Sequence, residues 1–226
     1  PDRDHCGSPR QLHRKECGDA CAGRRVDQHG HDFQASLEHA HDLADERGLH
    51  MLPSCHDDLI CGVASYGLEM FDDHDDLDTV YVPIGLGSGI CGTMRARDAL
   101  GRRTRIVGVV AENAAAYALS FAAGKPVSTN SADTIADGMA CRIPNEEALS
   151  EILASVERIV TVSEDEIATA MRHYFTDTHN VAEGAAAAPL AALLKERHPM
   201  QDKKVGLVLS GGNIDRDVYA RILAEA

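Results

Sequence analysis

Residues 79–92 read Thr-Val-Tyr-Val-Pro-Ile-Gly-Leu-Gly-Ser-Gly-Ile-Cys-Gly, and this stretch decides the fold. Residues 79–84 are mainly apolar or β-branched, which predicts a strand. Four glycines then fall within eight residues and let the backbone approach a ligand closely. Residues 90–100 are predicted to form a helix that ends at Gly101, so its first N–H groups would point at that ligand. The arrangement favours a phosphate, and a plain turn without a ligand is the alternative interpretation.

Strands and helices alternate along most of the chain on either side of this stretch. Further strands are predicted over residues 50–52, 105–111 and 204–209. A helix is predicted over residues 32–48, with Asp32 as its cap and Gly48 at its end. Ser163 and Glu166 form a capping box that predicts the start of another helix. Further helices are predicted over residues 59–71, 114–123, 183–197 and 214–226. The first thirty residues show no clear element. This alternation predicts an α/β fold, with helices flanking a parallel, twisted sheet.

The length and composition bound the domain organisation. A chain of 226 residues with 44% hydrophobic residues suits one large domain and a smaller lobe. The composition changes near residue 55, which predicts a boundary there. We therefore expect a smaller α/β lobe over residues 1–55 and a large domain over residues 56–226.

Charge and hydropathy exclude two classes of partner. The formal net charge is −14 and no basic stripe is present, so a nucleic-acid surface is not expected. The longest apolar runs, such as residues 106–111, are too short to cross a membrane. Seven cysteines form an odd set without a regular framework, which indicates reduced thiols and a cytoplasmic protein.

The glycine loop alone leaves the ligand open between two chemistries. Residues 87–92 satisfy the dinucleotide fingerprint G-x-G-x-x-G between a predicted strand and a predicted helix. Glu112 ends the next predicted strand, where an acid that binds a ribose would stand. These features favour a nicotinamide-dependent oxidoreductase as much as another phosphate-binding protein.

Other segments resemble a single family in consistent order. Residues 82–92, residues 134–138 (Thr-Ile-Ala-Asp-Gly), residues 180–185 (Asn-Val-Ala-Glu-Gly-Ala) and residues 209–213 (Leu-Ser-Gly-Gly-Asn) resemble the cofactor-binding segments of fold-type II pyridoxal-phosphate enzymes. This group includes threonine dehydratase and serine racemase. The resemblance implies pyridoxal 5′-phosphate as the cofactor and a sheet of the tryptophan-synthase-β type, with residues 1–55 as the remnant of the smaller lobe.

The resemblance also implies a set of cofactor-binding residues. The phosphate loop consists of Gly85, Leu86, Gly87, Ser88 and Gly89. Gly138 and Glu183 would line the cofactor ring, and Ser210, followed by Gly211, would face the pyridine nitrogen.

The implied activity is a β-elimination on a hydroxy amino acid such as threonine or serine, giving a 2-oxo acid and ammonia. A neutral serine at the pyridine nitrogen does not force that nitrogen to stay protonated, which favours elimination over transamination. Residues 63–69, 85–92 and 211–219 resemble a dehydratase branch that includes hydroxyectoine-utilisation enzymes. Relatives are commonly dimers, so a homodimer is expected.

One family feature is absent from this sequence. The family forms a Schiff base through a lysine in a Ser-x-Lys-x-Arg-Gly stretch, which these 226 residues do not contain. The five lysines stand in other contexts, at positions 15, 125, 195, 203 and 204. We therefore predict no catalytic residue in this chain, and expect it to lack the N-terminal part of the family and to be inactive alone. A non-catalytic fragment or pseudo-enzyme is the alternative.

The family's metal site is also incomplete. Some relatives bind a divalent ion through a Glu, a backbone carbonyl four residues later and an Asp six residues later. Glu112 and Ala116 match the first two positions, but Ala118 occupies the third. One carboxylate is a poor cage for a hard cation, so no metal is expected there.

Overall fold

The computed structural model describes residues 4–7, 25–30, 33–53 and 55–225. The chain divides into two compact units, Ser54–Gly212 and a second made of Pro1–Pro53 with Asn213–Ala226. The division at residues 53–54 lies near the predicted boundary, while residues 213–226 group with the N-terminal segment. The assignment of residues 1–55 and 56–226 as domains stays a prediction.

The smaller unit begins with two short parallel strands, β1 (Asp4–Gly7) and β2 (Arg25–Gln28), followed by helix α1 (Phe33–Arg47). The helix predicted over residues 32–48 is confirmed, and Gly48 ends it with a φ of 62°. Asp32, its predicted cap, lies outside the described residues. The strand predicted over residues 50–52 is wrong: Leu52 is 77% exposed, and no described strand pairs with this segment.

The larger unit alternates helices and strands as predicted. Its elements are α2 (Asp57–Asp73), β3 (Thr79–Pro83), α3 (Ser88–Ala99), β4 (Arg105–Ala111), α4 (Ala116–Ala123), α5 (Glu146–Ser155), β5 (Arg158–Val162), α6 (Glu164–Thr178), α7 (Gly184–Lys195) and β6 (Val205–Leu207). The chain then returns to the smaller unit with α8 (Arg216–Ala224). The predicted Ser163–Glu166 capping box opens α6.

The sheet of the larger unit is parallel throughout, in the order β5-β4-β3-β6, which confirms the predicted α/β class. Its centre is apolar: Tyr81 of β3 is fully buried between Val107 of β4 and Leu207 of β6. Because all the strands run the same way, their carboxyl ends lie at one edge of the sheet. The loops that follow β3, β4, β5 and β6 therefore start from that edge.

Two elements of the larger unit have no counterpart in the sequence prediction. Helix α5 is capped by Asn145, whose Oδ1 accepts a hydrogen bond from the N–H of Ala148 at 2.9 Å. Only two residues separate it from β5, so the change from helical to strand periodicity is abrupt. Strand β5 lies at the end of the sheet, and Arg158 and Thr161 interrupt its apolar pattern.

Two glycines of α2 give opposite stability predictions. A Cβ at Gly62 would meet no heavy atom within 4 Å, so Gly62→Ala should raise the free energy of unfolding by about 0.5–1 kcal/mol. A Cβ at Gly67 would lie 3.0 Å from Ala96 Cβ, where α2 packs on α3, so Gly67→Ala should lower it by about 1–2 kcal/mol. Urea unfolding measures both, and effects of the same sign would contradict this packing.

Candidate functional site

The glycine loop leaves β3 at the carboxyl edge of the sheet. The N–H of Ile84 still bonds to the carbonyl of Val109 at 2.9 Å, after which the chain turns. Gly87 is the N-cap of α3 in a left-handed conformation, with a φ of 106°. The first helical hydrogen bond runs from Cys91 N–H to Gly87 O at 3.0 Å, so the N–H groups of residues 88–90 have no acceptor within the helix. Together with the positive end of the helix dipole, these N–H groups suit an anion.

Two glycines of the loop are required by close packing. A Cβ at Gly85 would lie 2.3 Å from the carbonyl oxygen of Gly138. A Cβ at Gly87 would lie 2.5 Å from Ala148 Cβ. Gly89 differs, because a Cβ there would meet only the hydroxyl of Tyr66, at 3.5 Å. The space at the Cβ position of Gly89 is therefore mostly open.

The structure brings the other predicted site residues next to this loop. The carbonyl of Gly138 contacts Gly85, and a Cβ at Gly138 would lie 3.8 Å from Glu183 Oε1. A Cβ at Gly211 would lie 3.1 Å from the same carboxylate oxygen. The N–H of Glu183 donates to the carbonyl of Gly211 at 3.1 Å. Segments that are far apart in the sequence thus converge at the carboxyl edge of the sheet.

A cavity of about 490 Å³ opens beside the loop, within the usual range for small-molecule sites. Gly89 and Ser210 both line it. The other lining residues are mainly apolar, including Val63 and Met70, and Tyr66 contributes a hydroxyl. Of the described residues that line it, none carries a charged side chain.

Two tyrosines that the sequence did not single out contact the loop. The Tyr117 hydroxyl donates to Leu86 O at 2.7 Å, and the Tyr66 hydroxyl donates to Gly89 O at 2.9 Å. Burial raises the pKa of both phenols above the ordinary value of 10, so each hydroxyl keeps its proton. Tyr117 is 31 residues from Leu86 and Tyr66 is 23 from Gly89, so no local sequence pattern marks these contacts.

The described lysines form contacts on the surface of the larger unit. Lys195 Nζ donates to Glu166 Oε2 and to the carbonyl of Thr161, each at 3.1 Å. Lys203 lies 3.8 Å from Asp78, Lys204 bonds to Asp76, and Lys125 is exposed. Lys15 lies outside the described residues. None of the lysines with described positions is among the residues that line the cavity.

Two further features concern the described part of the chain. It contains no group of three or more His, Cys, Asp or Glu residues that could hold a metal ion. Glu112 is exposed in a 3-10 turn after β4, and the expectation that no metal binds there stays a prediction. None of the helices described has the length and apolar character needed to span a bilayer.

The fold and the loop together define an α/β protein in which a glycine-rich helix start lies at the carboxyl edge of a parallel sheet. The family model described as "Pyridoxal-phosphate dependent enzyme" matches residues 13–211. The chain belongs to this family. The family's cofactor is pyridoxal phosphate, which leaves the dinucleotide interpretation of residues 87–92 without support.

Known relatives agree with this assignment. The chain is 32% identical over 202 residues to an L-threonine ammonia-lyase of Thermotoga maritima, covering 89% of this chain and 50% of the relative. It is 34% identical over 197 residues to the catabolic L-threonine dehydratase TdcB of Escherichia coli K12, covering 86% and 60%. The chain thus spans about half to three fifths of the length of these curated relatives.

Solved structures agree as well. A threonine deaminase from T.th. superimposes with a TM-score of 0.81 at 31% identity, over 91% of this chain and 68% of that one. Threonine deaminase isoform 2 from Solanum lycopersicum gives 0.86 at 25% identity, over 97% and 65%. The predicted fold-type II family and its parallel sheet are therefore confirmed.

The residues present fit the family's cofactor. The start of α3 offers backbone N–H donors to a phosphate dianion, which can be held there without a lysine or arginine. The absence of a side chain at Gly89 leaves space beside the loop that a larger residue would fill. The neighbouring cavity is mainly apolar and presents two hydroxyls, which suits a heteroaromatic ring.

Proposed function

We propose that this chain supplies the cofactor cradle of a pyridoxal-phosphate-dependent lyase that acts on a hydroxy amino acid of the threonine or serine type. The substrate loses its α-proton and β-hydroxyl as water, and a water molecule then releases ammonia and a 2-oxo acid. The observation that carries the proposal is that Gly138, Glu183 and Gly211 converge on the glycine loop at Gly85. Gly89 of that loop and Ser210, the neighbour of Gly211, line one cavity. Relatives named as threonine dehydratase and threonine ammonia-lyase support the substrate class.

In this proposal the glycine loop holds the cofactor's phosphate. The N–H groups of residues 87–90 would donate to its oxygens, because the left-handed turn at Gly87 directs the start of α3 toward that position. Gly85 and Leu86 bring the chain from β3 into this turn. Bound there, pyridoxal phosphate supplies the sink for the electron pair that the α-proton leaves behind.

Ser210 and the Glu183 cluster orient the ring in the same proposal. Ser210 lines the cavity, and its neutral hydroxyl would face the pyridine nitrogen. A hydroxyl does not require that nitrogen to be protonated, so the electron sink is weak and prompt loss of the β-hydroxyl is favoured. Gly138 and Glu183 line the ring, and Gly211 gives the backbone the space to lie against the Glu183 carboxylate.

The finer parts of the proposal concern substrate and assembly. Residues 63–69, 85–92 and 211–219 support a hydroxyectoine-derived amino acid as the specific alternative to threonine and serine. We further propose a cytoplasmic protein, from its irregular set of seven cysteines, and a homodimer, from the resemblance.

A second candidate is a cradle that binds the cofactor without turnover. It is favoured by one observation, namely that no lysine of the 226 residues stands in the Ser-x-Lys-x-Arg-Gly context. We therefore expect this chain by itself to bind pyridoxal phosphate reversibly and to produce no 2-oxo acid.

The test titrates the 226-residue protein with pyridoxal phosphate, pyridoxal and NADH, and assays 2-oxo acid formation from L-threonine and L-serine. Pyridoxal phosphate should bind at least about tenfold more tightly than pyridoxal, because charge-assisted hydrogen bonds to the phosphate are lost in pyridoxal. Turnover by this chain alone would show that the proposed inactivity is wrong. Tight NADH binding without pyridoxal-phosphate binding would overturn the proposed cofactor site.

A further inference from the structure

Two buried or half-buried hydroxyls meet the glycine loop from different elements. Tyr117 of α4 donates to Leu86 O at 2.7 Å, and Tyr66 of α2 donates to Gly89 O at 2.9 Å. These carbonyls lie on either side of the Gly87 turn, where the chain passes from loop to helix. The contacts therefore restrain the loop at both ends.

The Tyr117 contact links the loop to a second helix start. Tyr117 is only 1% exposed, and its oxygen also accepts a hydrogen bond from Asn145 N–H at 3.0 Å. Asn145 caps α5 through Ala148 N–H, and Ala148 Cβ is the atom that a Cβ at Gly87 would strike. One hydroxyl thus fixes the Leu86 carbonyl relative to the helix that packs under Gly87.

The Tyr66 contact belongs to a cluster of three oxygen atoms. Its oxygen lies 2.9 Å from Thr93 Oγ1, and Thr93 Oγ1 also donates to Gly89 O at 2.9 Å. Tyr66 lines the cavity, and its hydroxyl is 3.5 Å from the Cβ position of Gly89. This side chain therefore restrains the first turn of α3 from the side on which the cavity opens.

The planarity of the peptide bond converts these contacts into control of N–H direction. In a trans peptide the carbonyl of one residue and the N–H of the next point in opposite directions. Fixing the Leu86 carbonyl therefore fixes the Gly87 N–H, and fixing the Gly89 carbonyl fixes the Ile90 N–H. An anion site requires N–H groups directed at the ligand and carbonyls directed away from it.

We propose that Tyr117 and Tyr66 are positioning residues that hold the Gly87 and Ile90 N–H groups toward the phosphate. The inference rests on the proposed function for its ligand, but the restraint itself belongs to the ligand-free chain. Neither tyrosine needs to contact the cofactor for this role.

The experiment compares Tyr117→Phe and Tyr66→Phe in the full chain. Tyr117→Phe should weaken pyridoxal-phosphate binding about tenfold, because two buried groups lose their partner, and Tyr66→Phe about threefold, because Thr93 still donates to Gly89 O. Pyridoxal, which has no phosphate, should bind unchanged. Amide hydrogen exchange of residues 85–91 without ligand should become faster in both variants.

Tyr81→Phe is the matched control. Tyr81 is a fully buried tyrosine of the same unit, but its hydroxyl bonds to Glu196 and not to the loop. Tyr81→Phe should leave the amide hydrogen exchange of residues 85–91 unchanged. It should also leave unchanged the ratio of the affinities for pyridoxal phosphate and pyridoxal. If Tyr117→Phe does not fold, Tyr66→Phe makes the same test from the half-buried side.

The outcomes separate this inference from the proposed function. Unchanged loop exchange in the tyrosine variants, or equal losses for pyridoxal phosphate and pyridoxal, would overturn the positioning role. A wild-type chain that binds no pyridoxal phosphate would instead sink the proposed function, while faster loop exchange in the variants would still support the restraint.

Discussion

Gly87→Asp is expected to weaken pyridoxal-phosphate binding by at least about a hundredfold, because it places a carboxylate beside the proposed phosphate site. Two like charges about 4 Å apart near a protein surface repel by roughly 4 kcal/mol, and each 1.4 kcal/mol is tenfold in affinity. The new side chain also meets Ala148 Cβ at 2.5 Å and must adopt a φ of 106°. The dissociation constant, followed by equilibrium dialysis, measures the total effect.

Gly87→Asn separates charge from shape. Asparagine has nearly the same size as aspartate and the same relative tolerance of the left-handed region, so both variants share the clash and the strain. Both should lower the free energy of unfolding by about 1–3 kcal/mol. Asn should nevertheless bind the cofactor at least about tenfold better than Asp, and this gap should narrow as salt screens the charges.

Equal affinities of the Asp and Asn variants at low salt would count against an anion at this loop. So would an Asp variant that binds pyridoxal and pyridoxal phosphate with the same loss. Both results would leave the glycine loop as a packing feature only, since the Cβ positions at Gly85 and Gly87 already explain why glycine is needed there.

Strands β3 and β4 could be recognised from the sequence because the local pattern of side chains determines them. Strand β4 lies at residues 105–111 as predicted, and the apolar run of residues 79–84 ends one residue later than β3. The Ser163–Glu166 capping box is local too, since its partners are three residues apart. The meeting of Gly85, Gly138, Glu183 and Gly211 followed from the ordered resemblance, and their roles toward the cofactor stay predictions.

Other features could not be predicted because their causes are tertiary. Residues 50–52 have side chains typical of a strand, but no described strand lies beside them to form backbone hydrogen bonds. Strand β5 forms because β4 supplies hydrogen-bond partners for residues 158–162. The Tyr117 contact with Leu86 exists only after α4 has packed against the loop. Such contacts depend on the whole fold and leave no periodic signal in the chain.

A second large effect is expected far from the glycine loop, at an ion pair between the sheet and the end of α7. Glu196 accepts hydrogen bonds from Arg158 Nε at 3.0 Å and Nη2 at 2.5 Å, and from the buried Tyr81 hydroxyl at 2.5 Å. Only 20% of the Glu196 side chain is exposed. The cluster therefore ties β3 and β5 to the residue that follows α7 through two charged groups with little access to solvent.

Glu196→Gln should lower the free energy of unfolding by about 2–3 kcal/mol at pH 7, because it removes the less exposed carboxylate that pairs with Arg158 and weakens the bond to Tyr81. The hydrogen bond from Arg158 holds the pKa of Glu196 below its ordinary value of 4.5. A lowered folded-state pKa stabilises the protein above the unfolded pKa, and that stability is lost as the pH falls through the folded pKa. The difference in the free energy of unfolding between wild type and variant should therefore be largest above about pH 5 and decrease below about pH 4.

Glu157→Gln provides the control, since Glu157 pairs with the same arginine. Its Oε2 lies 3.2 Å from Arg158 Nη1, but its side chain is 36% exposed, and exposed pairs contribute little. Its removal should cost less than about 1 kcal/mol and leave the acid dependence of stability nearly unchanged. Urea unfolding of both variants between about pH 3.5 and pH 7 makes the comparison. Equal losses of unfolding free energy in the two variants would contradict this prediction. The closer and less exposed contacts of Glu196 require the larger loss at that residue.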